Sequence, residues 1–278
     1  MKTKIRCIFL LSLVAFSFSC KKEKINNDKN TETVIEVQKN DAEATKVYDL
    51  IGNEINDISA TLDTLGYSAD AKTLNSCIAV TIDHPDSINW PKTITLDFSG
   101  DCTTENGNIL SGQIIIHQTA RYRTDGMVRI ITLNGFKING YQVTGTKTIT
   151  NLGLVNGFRT YSISVENGSV ITSEGEVIST RSAQRTRAWI EGESTATRWD
   201  DVYLVTGTTS GTTVNGIAYT ASITQPLRIA RNCRWIEAGE ISTTIPELPE
   251  VVIDFGTGSC DEIATVTVNG NTRTITLH

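Results

Sequence analysis

Seven Asn-Gly dipeptides punctuate the chain, beginning at Asn106, Asn134, Asn139, Asn156, Asn167, Asn215 and Asn269. A type I′ turn needs positive φ at both central residues, and Asn followed by Gly meets that need at least cost. Runs rich in Thr, Val and Ile flank these dipeptides, and many of the turns fall about 8–15 residues apart, the rhythm of hairpin after hairpin. Alternation supports strands: Tyr161, Ile163 and Val165 fall on one face, Ser162 and Ser164 on the other. One apolar and one polar face mark an antiparallel sheet covered on one side. The expected fold is mainly β, an antiparallel meander forming either a sandwich or an open barrel-like sheet.

A single helix is expected before it, over Asp41–Leu65. Val47, Ile51, Ile55, Ile58, Leu62 and Leu65 recur at steps of three and four, and Leu50 widens the stripe. Asn40 with Glu43 reads as a capping-box start, and Gly66 as the left-handed stop. Gly52 is discordant, because glycine inside a helix costs about 1 kcal/mol relative to alanine. An amphipathic helix must lay its stripe on something, and the sheet that follows is the candidate.

Two stretches share their parts in the same order. Cys77–Cys102 and Cys233–Cys260 each hold a β-rich run, a turn marked by proline, then Asp-Phe, glycine and cysteine. The likeness of Pro91–Cys102 to Pro249–Cys260, and of Val143–Thr146 to Val205–Thr208, points to a distant duplication. Of three pairings open to four cysteines, the internal likeness favours Cys77 with Cys102 and Cys233 with Cys260. A zinc site is disfavoured: no CxxC spacing exists, and the histidines are His84, His117 and His278. Asp97-Phe98 and Asp254-Phe255 read as structural, with the carboxylate bonding turn N–H groups and the ring packing near the disulfide.

Residues 1–19 carry Lys2, Lys4 and Arg6, then an apolar run from Ile8 to Phe18 that is too short to span a bilayer, which takes about 20 residues. That is the pattern of a secretion signal. It ends at Ser19-Cys20, which resembles the lipobox of bacterial lipoproteins, in the loose form seen in Bacteroidota lipoproteins. The resemblance implies lipidation at Cys20, an anchor in the outer membrane, and exposure either to the periplasm or at the cell surface. Residues 20–40, polar and without aromatics, are expected to form a flexible tether. Residues 41–278 are expected to form one β-rich domain. An oxidising compartment suits the even cysteine count.

The formal net charge is −6, and loss of residues 1–19 removes three positive charges, leaving −9. An acidic domain without a basic patch argues against nucleic acid as a partner. No metalloprotease, phosphate-loop or dinucleotide signature is present. Gly192-Glu-Ser194 is a fragment of a nucleophile elbow without the helix that elbow needs. The remaining chemical candidate is Arg185–Tyr203. In one strand Arg187, Trp189 and Glu191 share a face; in the next, Trp199, Asp201 and Tyr203 do. Tryptophans over carboxylates suit a sugar, and two carboxylates can hydrolyse a glycoside. The competing reading is cross-strand Arg–Glu and aromatic pairing on a solvent-facing sheet. The expectation is a non-enzymatic lipoprotein that needs no cofactor and meets a glycan or protein partner. A carbohydrate-active enzyme is the alternative. A third class, lipid carriage, would need an apolar cavity beneath the helix.

Overall fold

The computed structural model describes residues 21–68, 73–213 and 215–277. The signal-like segment and Cys20 lie outside the described residues. Among the described residues one helix, α1 (Lys21–Thr64), precedes fourteen strands. The first seven are β1 (Thr73–Asn75), β2 (Ile78–Ile82), β3 (Lys92–Thr103), β4 (Ile109–Gln118), β5 (Val128–Ile138), β6 (Tyr141–Val155) and β7 (Phe158–Ile171). The rest are β8 (Val177–Glu191), β9 (Val202–Thr213), β10 (Ala218–Ala230), β11 (Ala238–Thr244), β12 (Val251–Thr257), β13 (Ile263–Val268) and β14 (Asn271–Thr276). They pair antiparallel in sequence order within one open sheet. The expected meander is present, and of its two expected forms the open sheet is the one adopted.

A meander has two rims. The turns after the even-numbered strands β2 to β12 share the upper rim, and the turns after the odd-numbered strands share the lower. Five of the seven Asn-Gly dipeptides lie in turns, as expected: those at Asn106, Asn139, Asn156, Asn215 and Asn269. The other two do not. Asn134-Gly135 lies within β5 and Asn167-Gly168 within β7. Their positive φ values, 55° at Gly135 and 52° at Asn167, serve bulges where the pairing register shifts.

These bulges line up across the sheet. Register slips at Gly112 in β4, Gly145 in β6, Glu166–Gly168 in β7 and Gly239 in β11, each opposite or next to a slip in its neighbour. The result is a crease that lets the long strands fold over. It also explains the repeated Val-Thr-Gly-Thr. Gly145 and Gly207 both stand on the crease, with φ of 105° and 125°. A Cβ on Gly145 would meet Gly168 Cα at 2.7 Å, and one on Gly207 would strike the Gln184 carbonyl oxygen. The glycine the two tetrapeptides share is needed at both positions because each passes a neighbouring backbone at the bend.

Inside the bend lies α1. A buried stripe runs along it through Val34, Val37, Asp41, Ala44, Tyr48, Ile51, Ile55, Ile58 and Leu62 in alternating steps of three and four, widened by Ile35, Gln38, Val47, Glu54 and Ser59. The helix therefore begins well before the expected start at Asp41. Val34, Ile35 and Val37 pack with Val251, Phe255 and Val266, so residues placed in the tether are core. The pattern hid because Gln38 and Asp41 interrupt it. Both are buried and bonded: Gln38 Nε2 donates to the Val251 carbonyl at 3.1 Å, and Tyr219 Oη to Asp41 at 2.7 Å. Glu43 caps nothing and accepts the Tyr141 hydroxyl instead. At the other end Gly66 is left-handed, with φ of 64°, as expected. Leu65 lies past the helix and is exposed rather than part of the stripe.

The sheet closes over α1 by side chains, not by strand pairing. Asn106, in the turn after β3, donates to Asp57 at 2.9 Å. Arg231, in the loop after β10, donates to the same carboxylate at 3.0 Å, and Arg198, after β8, also reaches it. Turns from distant strands thus meet on one helical residue. Two disulfides complete the frame, Cys77–Cys102 across β2–β3 and Cys233–Cys260 across β11–β12. Each ties the open end of its own hairpin, the pairing the internal likeness favoured. Phe98 and Phe255 are buried, and Asp254 accepts the Gly256 N–H at 2.8 Å, as expected; Asp97 instead accepts from Gln113.

Candidate functional site

Of the residues singled out from the sequence, Arg187, Trp189 and Glu191 lie on β8 and Tyr203 on β9, while Trp199 and Asp201 stand in the loop between them rather than on the expected second strand. The face of Arg187 and Trp189 runs opposite to the solvent-facing expectation. Trp189 is buried, and Arg187 has its Nε fully covered. The reason is the wrap: this face of β8 looks into the crease towards α1. Arg187 donates to Tyr122 Oη at 3.0 Å and stacks 4.6 Å from the centre of the Tyr203 ring. Tyr122 stacks on Tyr161 at 4.9 Å, and Trp189 tilts against Tyr203 at 5.7 Å. Arg123 covers the Trp189 ring at 4.7 Å from the centroid. This is an alternating arginine–aromatic stack, worth roughly 0.5–2 kcal/mol per contact.

The carboxylates are dispersed. Asp201 is buried, accepts Tyr203 Oη at 3.0 Å, and has its pKa raised by burial. Glu191 is exposed and pairs with Arg228 at 3.0 Å; Glu193 pairs with Arg159. Trp199 stands in the loop after β8 with 64% of its surface exposed. The structure thus brings Arg187, Trp189, Asp201 and Tyr203 together in the interior and leaves Glu191 and Trp199 outside that group.

Sequence reasoning missed a wider feature of this interior, a set of covered cations. Lys147 on β6 and Arg181 on β8 are buried, as is Arg129 on β5. Arg181 reaches Asp41 at 3.6 Å and Thr45 at 3.0 Å; Arg129 is held by Gln118 at 2.6 Å and Asn56 at 3.0 Å. Lys147 donates to the Tyr48 carbonyl at 3.1 Å. Burial pushes its pKa down to about 8, and Arg187, Arg185 and Arg181 push the same way against Asp49. The signal was present in the alternation, since Arg181, Arg185 and Arg187 share the face of Ala183 and Trp189. Their length and charge argued for solvent. These side chains lie between α1 and the sheet, beside the apolar cluster that holds Ile51, Ile55 and Leu62.

Two other places merit chemistry. A groove of about 350 Å³ follows the crease on β10–β12, lined by Gln225, Pro226, Gly239, Glu240, Asp254 and Gly256. Glu240 stands directly opposite Asp254, but each is bonded locally, to Thr224 at 2.5 Å and to the Gly256 N–H at 2.8 Å. The ligand atoms of Cys233, Glu237 and Cys260 lie within 4.8 Å of one another. Both sulfurs are spent in the disulfide, and Glu237 pairs with Arg228 at 3.1 Å.

The class defined so far is an open fourteen-stranded meander wrapped on one helix with an arginine–tyrosine interior. The chain matches no family model, no curated protein and no solved structure.

Proposed function

We propose that this protein is a lipid-anchored lipoprotein of the cell envelope, held to the outer membrane through Cys20 and acting by binding rather than turnover. The observation that carries the reading is the junction at Cys20. A basic and then apolar segment ends in Ser19-Cys20, the arrangement that resembles a lipobox. Two acyl chains suffice for stable anchoring. The state of the acidic residues supports binding: Glu191, Glu193 and Asp201 are each paired, and they point to different partners. Both disulfides suit an oxidising compartment. The deciding experiment is labelled-palmitate incorporation. The wild-type chain takes up label and partitions with membranes, and Cys20→Ala loses both. Unchanged incorporation in Cys20→Ala would make the anchor reading wrong.

A further inference from the structure

An open sheet has two free edges, and a free edge offers unpaired N–H and C=O groups to any strand that can reach them. Here the two edges differ. β1 is three residues long, Thr73–Asn75, and its pairing with β2 slips. β14 is six residues long, Asn271–Thr276, and pairs with β13 without a slip. It contains no proline and one charged residue, Arg273. Beyond its end the Leu277 N–H donates to the Glu262 carbonyl at 2.8 Å, in the same register. Backbone groups alternate in direction along an antiparallel strand, so residues 271, 273, 275 and 277 bond towards β13. Thr272, Thr274 and Thr276 therefore direct their N–H and C=O groups away from it, and no described strand takes them. Asn271, Thr272, Arg273 and Thr274 are all exposed, although their side chains alternate between the two faces. Neither face of this edge is covered, and a further strand has room beside it.

We propose that β14 is a dimerisation edge, pairing antiparallel with β14 of a second copy about a twofold axis at Thr274. The edge is complementary to itself. With Thr274 opposite Thr274, Thr272 of each copy stands opposite Thr276 of the other. Every outward group then meets an outward group, giving about six backbone hydrogen bonds. Arg273 stands opposite Ile275, so no like charges face each other across the join. The exposed acids nearest this edge, Asp261 and Glu262, lie beside Leu277, which comes opposite the neutral Asn269–Asn271 turn of the other copy. Threonines already pair across strands on the outer face, Thr267 with Thr272 at 2.9 Å and Thr180 with Thr212 at 2.6 Å. The join continues that row through Thr274 and Thr276. A foreign strand would be selected by pockets for its alternate side chains. The groove on the crease is lined from β10, β11 and β12 and takes no residue of β13 or β14, so it supplies none at this edge. Pairing with β1 of a second copy would be head-to-tail, and three residues cannot meet all three outward threonines. The join does not depend on lipidation at Cys20.

Sedimentation velocity tests it on the signal-processed chain carrying Cys20→Ser, so that lipid cannot drive association. A monomer–dimer equilibrium is expected between about 1 and 200 µM, because a join of one strand is at the small end of specific interfaces. Thr274→Pro deletes an outward N–H and touches no bond to β13, so dimerisation should weaken at least about tenfold. Thr274→Lys places like charges opposite each other at the axis and should do the same. Both variants should keep the circular dichroism spectrum and Tm of the parent. Cysteines read the register, since the four in the domain are already paired. Thr274→Cys should form a disulfide-linked dimer under mild oxidation, because facing residues there stand about 5.5 Å apart. Thr272→Cys should not, because its two copies stand more than about 13 Å apart. A monomer throughout the range overturns the proposal, as does a dimer that Thr274→Lys leaves intact. Assemblies that keep growing with concentration assign the edge to head-to-tail pairing and overturn the twofold join. Linking through Thr272→Cys and not through Thr274→Cys overturns the register.

Discussion

Lys147 Nζ lies 3.0 Å from where a Cβ on Gly52 would stand, and from there it donates to the Tyr48 carbonyl one turn earlier in the helix. A glycine that costs α1 stability locally thus makes room for a cation arriving from β6. The pair converts the one discordant residue of the helix into evidence of how tightly the sheet is wrapped. Gly52→Ala should gain about 1 kcal/mol from helix propensity alone. The crowded ammonium should cancel that gain in the wild-type background. In a Lys147→Met background, which removes the Nζ atom, the gain should return. A double-mutant cycle by urea unfolding measures the coupling, expected near 1 kcal/mol. Equal effects of Gly52→Ala in both backgrounds would show that the close approach costs nothing.

The same lysine sets a pH dependence. Its folded pKa of about 8 lies below the ordinary value of 10.5. Between these values the unfolded chain holds a proton that the folded chain lacks, so stability rises with pH from about 8. The gain by pH 10 should be on the order of 2 kcal/mol. Above pH 10 the sign reverses. Burial pushes Tyr48 and Tyr67 up to about 12, so the unfolded chain ionises first and stability falls. Denaturant midpoints across pH 7 to 12 should pass through a maximum near 10. Lys147→Met should flatten the rising limb and raise stability at pH 7, because a buried charge has been exchanged for an apolar chain of similar length. A rising limb that survives in Lys147→Met would assign it to other groups.

How far the sequence could be read depended on whether a residue's environment is local. Turn chemistry is local, so five Asn-Gly turns, the Gly66 stop and both disulfide pairings were legible, as was the meander. The helix stripe was legible from Val47 to Leu62, where every member is apolar. Upstream it passes through Asp41 and Gln38, whose partners Tyr219 and Val251 lie far along the chain. No window around residue 41 holds that information. Arg187 and Trp189 were rightly placed on one face, but which face is buried follows from the curvature of the sheet. Glycines such as Gly145 and Gly207 stand where the strands bend, and no local window shows that bend.

Asp57 should be the most sensitive residue of the closure over α1. It accepts from Arg231, Arg198 and Asn106, which come from three different turns. Asp57→Asn keeps the shape and removes the charge that both arginines face. Loss of charge-assisted hydrogen bonds to a half-buried carboxylate should cost roughly 1–3 kcal/mol. Opening should come first at the loops that were held, so limited proteolysis should cut Asp57→Asn between residues 192 and 201 at lower protease than wild type. An unchanged cleavage pattern and Tm would reduce the triple contact to surface decoration.

The two disulfides should be unequal in accessibility and similar in thermodynamic weight. They close loops of 25 and 27 residues, so loop entropy assigns each roughly 3 kcal/mol. Cys102 is fully buried in the cluster that includes Phe98 and Leu110, whereas Cys260 is exposed at the upper rim. Mild reductant should therefore open Cys233–Cys260 first, and Cys77–Cys102 only as the sheet unfolds. Alkylation followed by mass mapping reads the order directly. Replacing Cys233 and Cys260 together by Ala should lower stability by about 3 kcal/mol. Replacing Cys77 and Cys102 should cost more, because Ala at position 102 also leaves a cavity beside Phe98. Simultaneous reduction of both bonds at low reductant would show that burial of Cys102 does not protect its bridge in the folded protein.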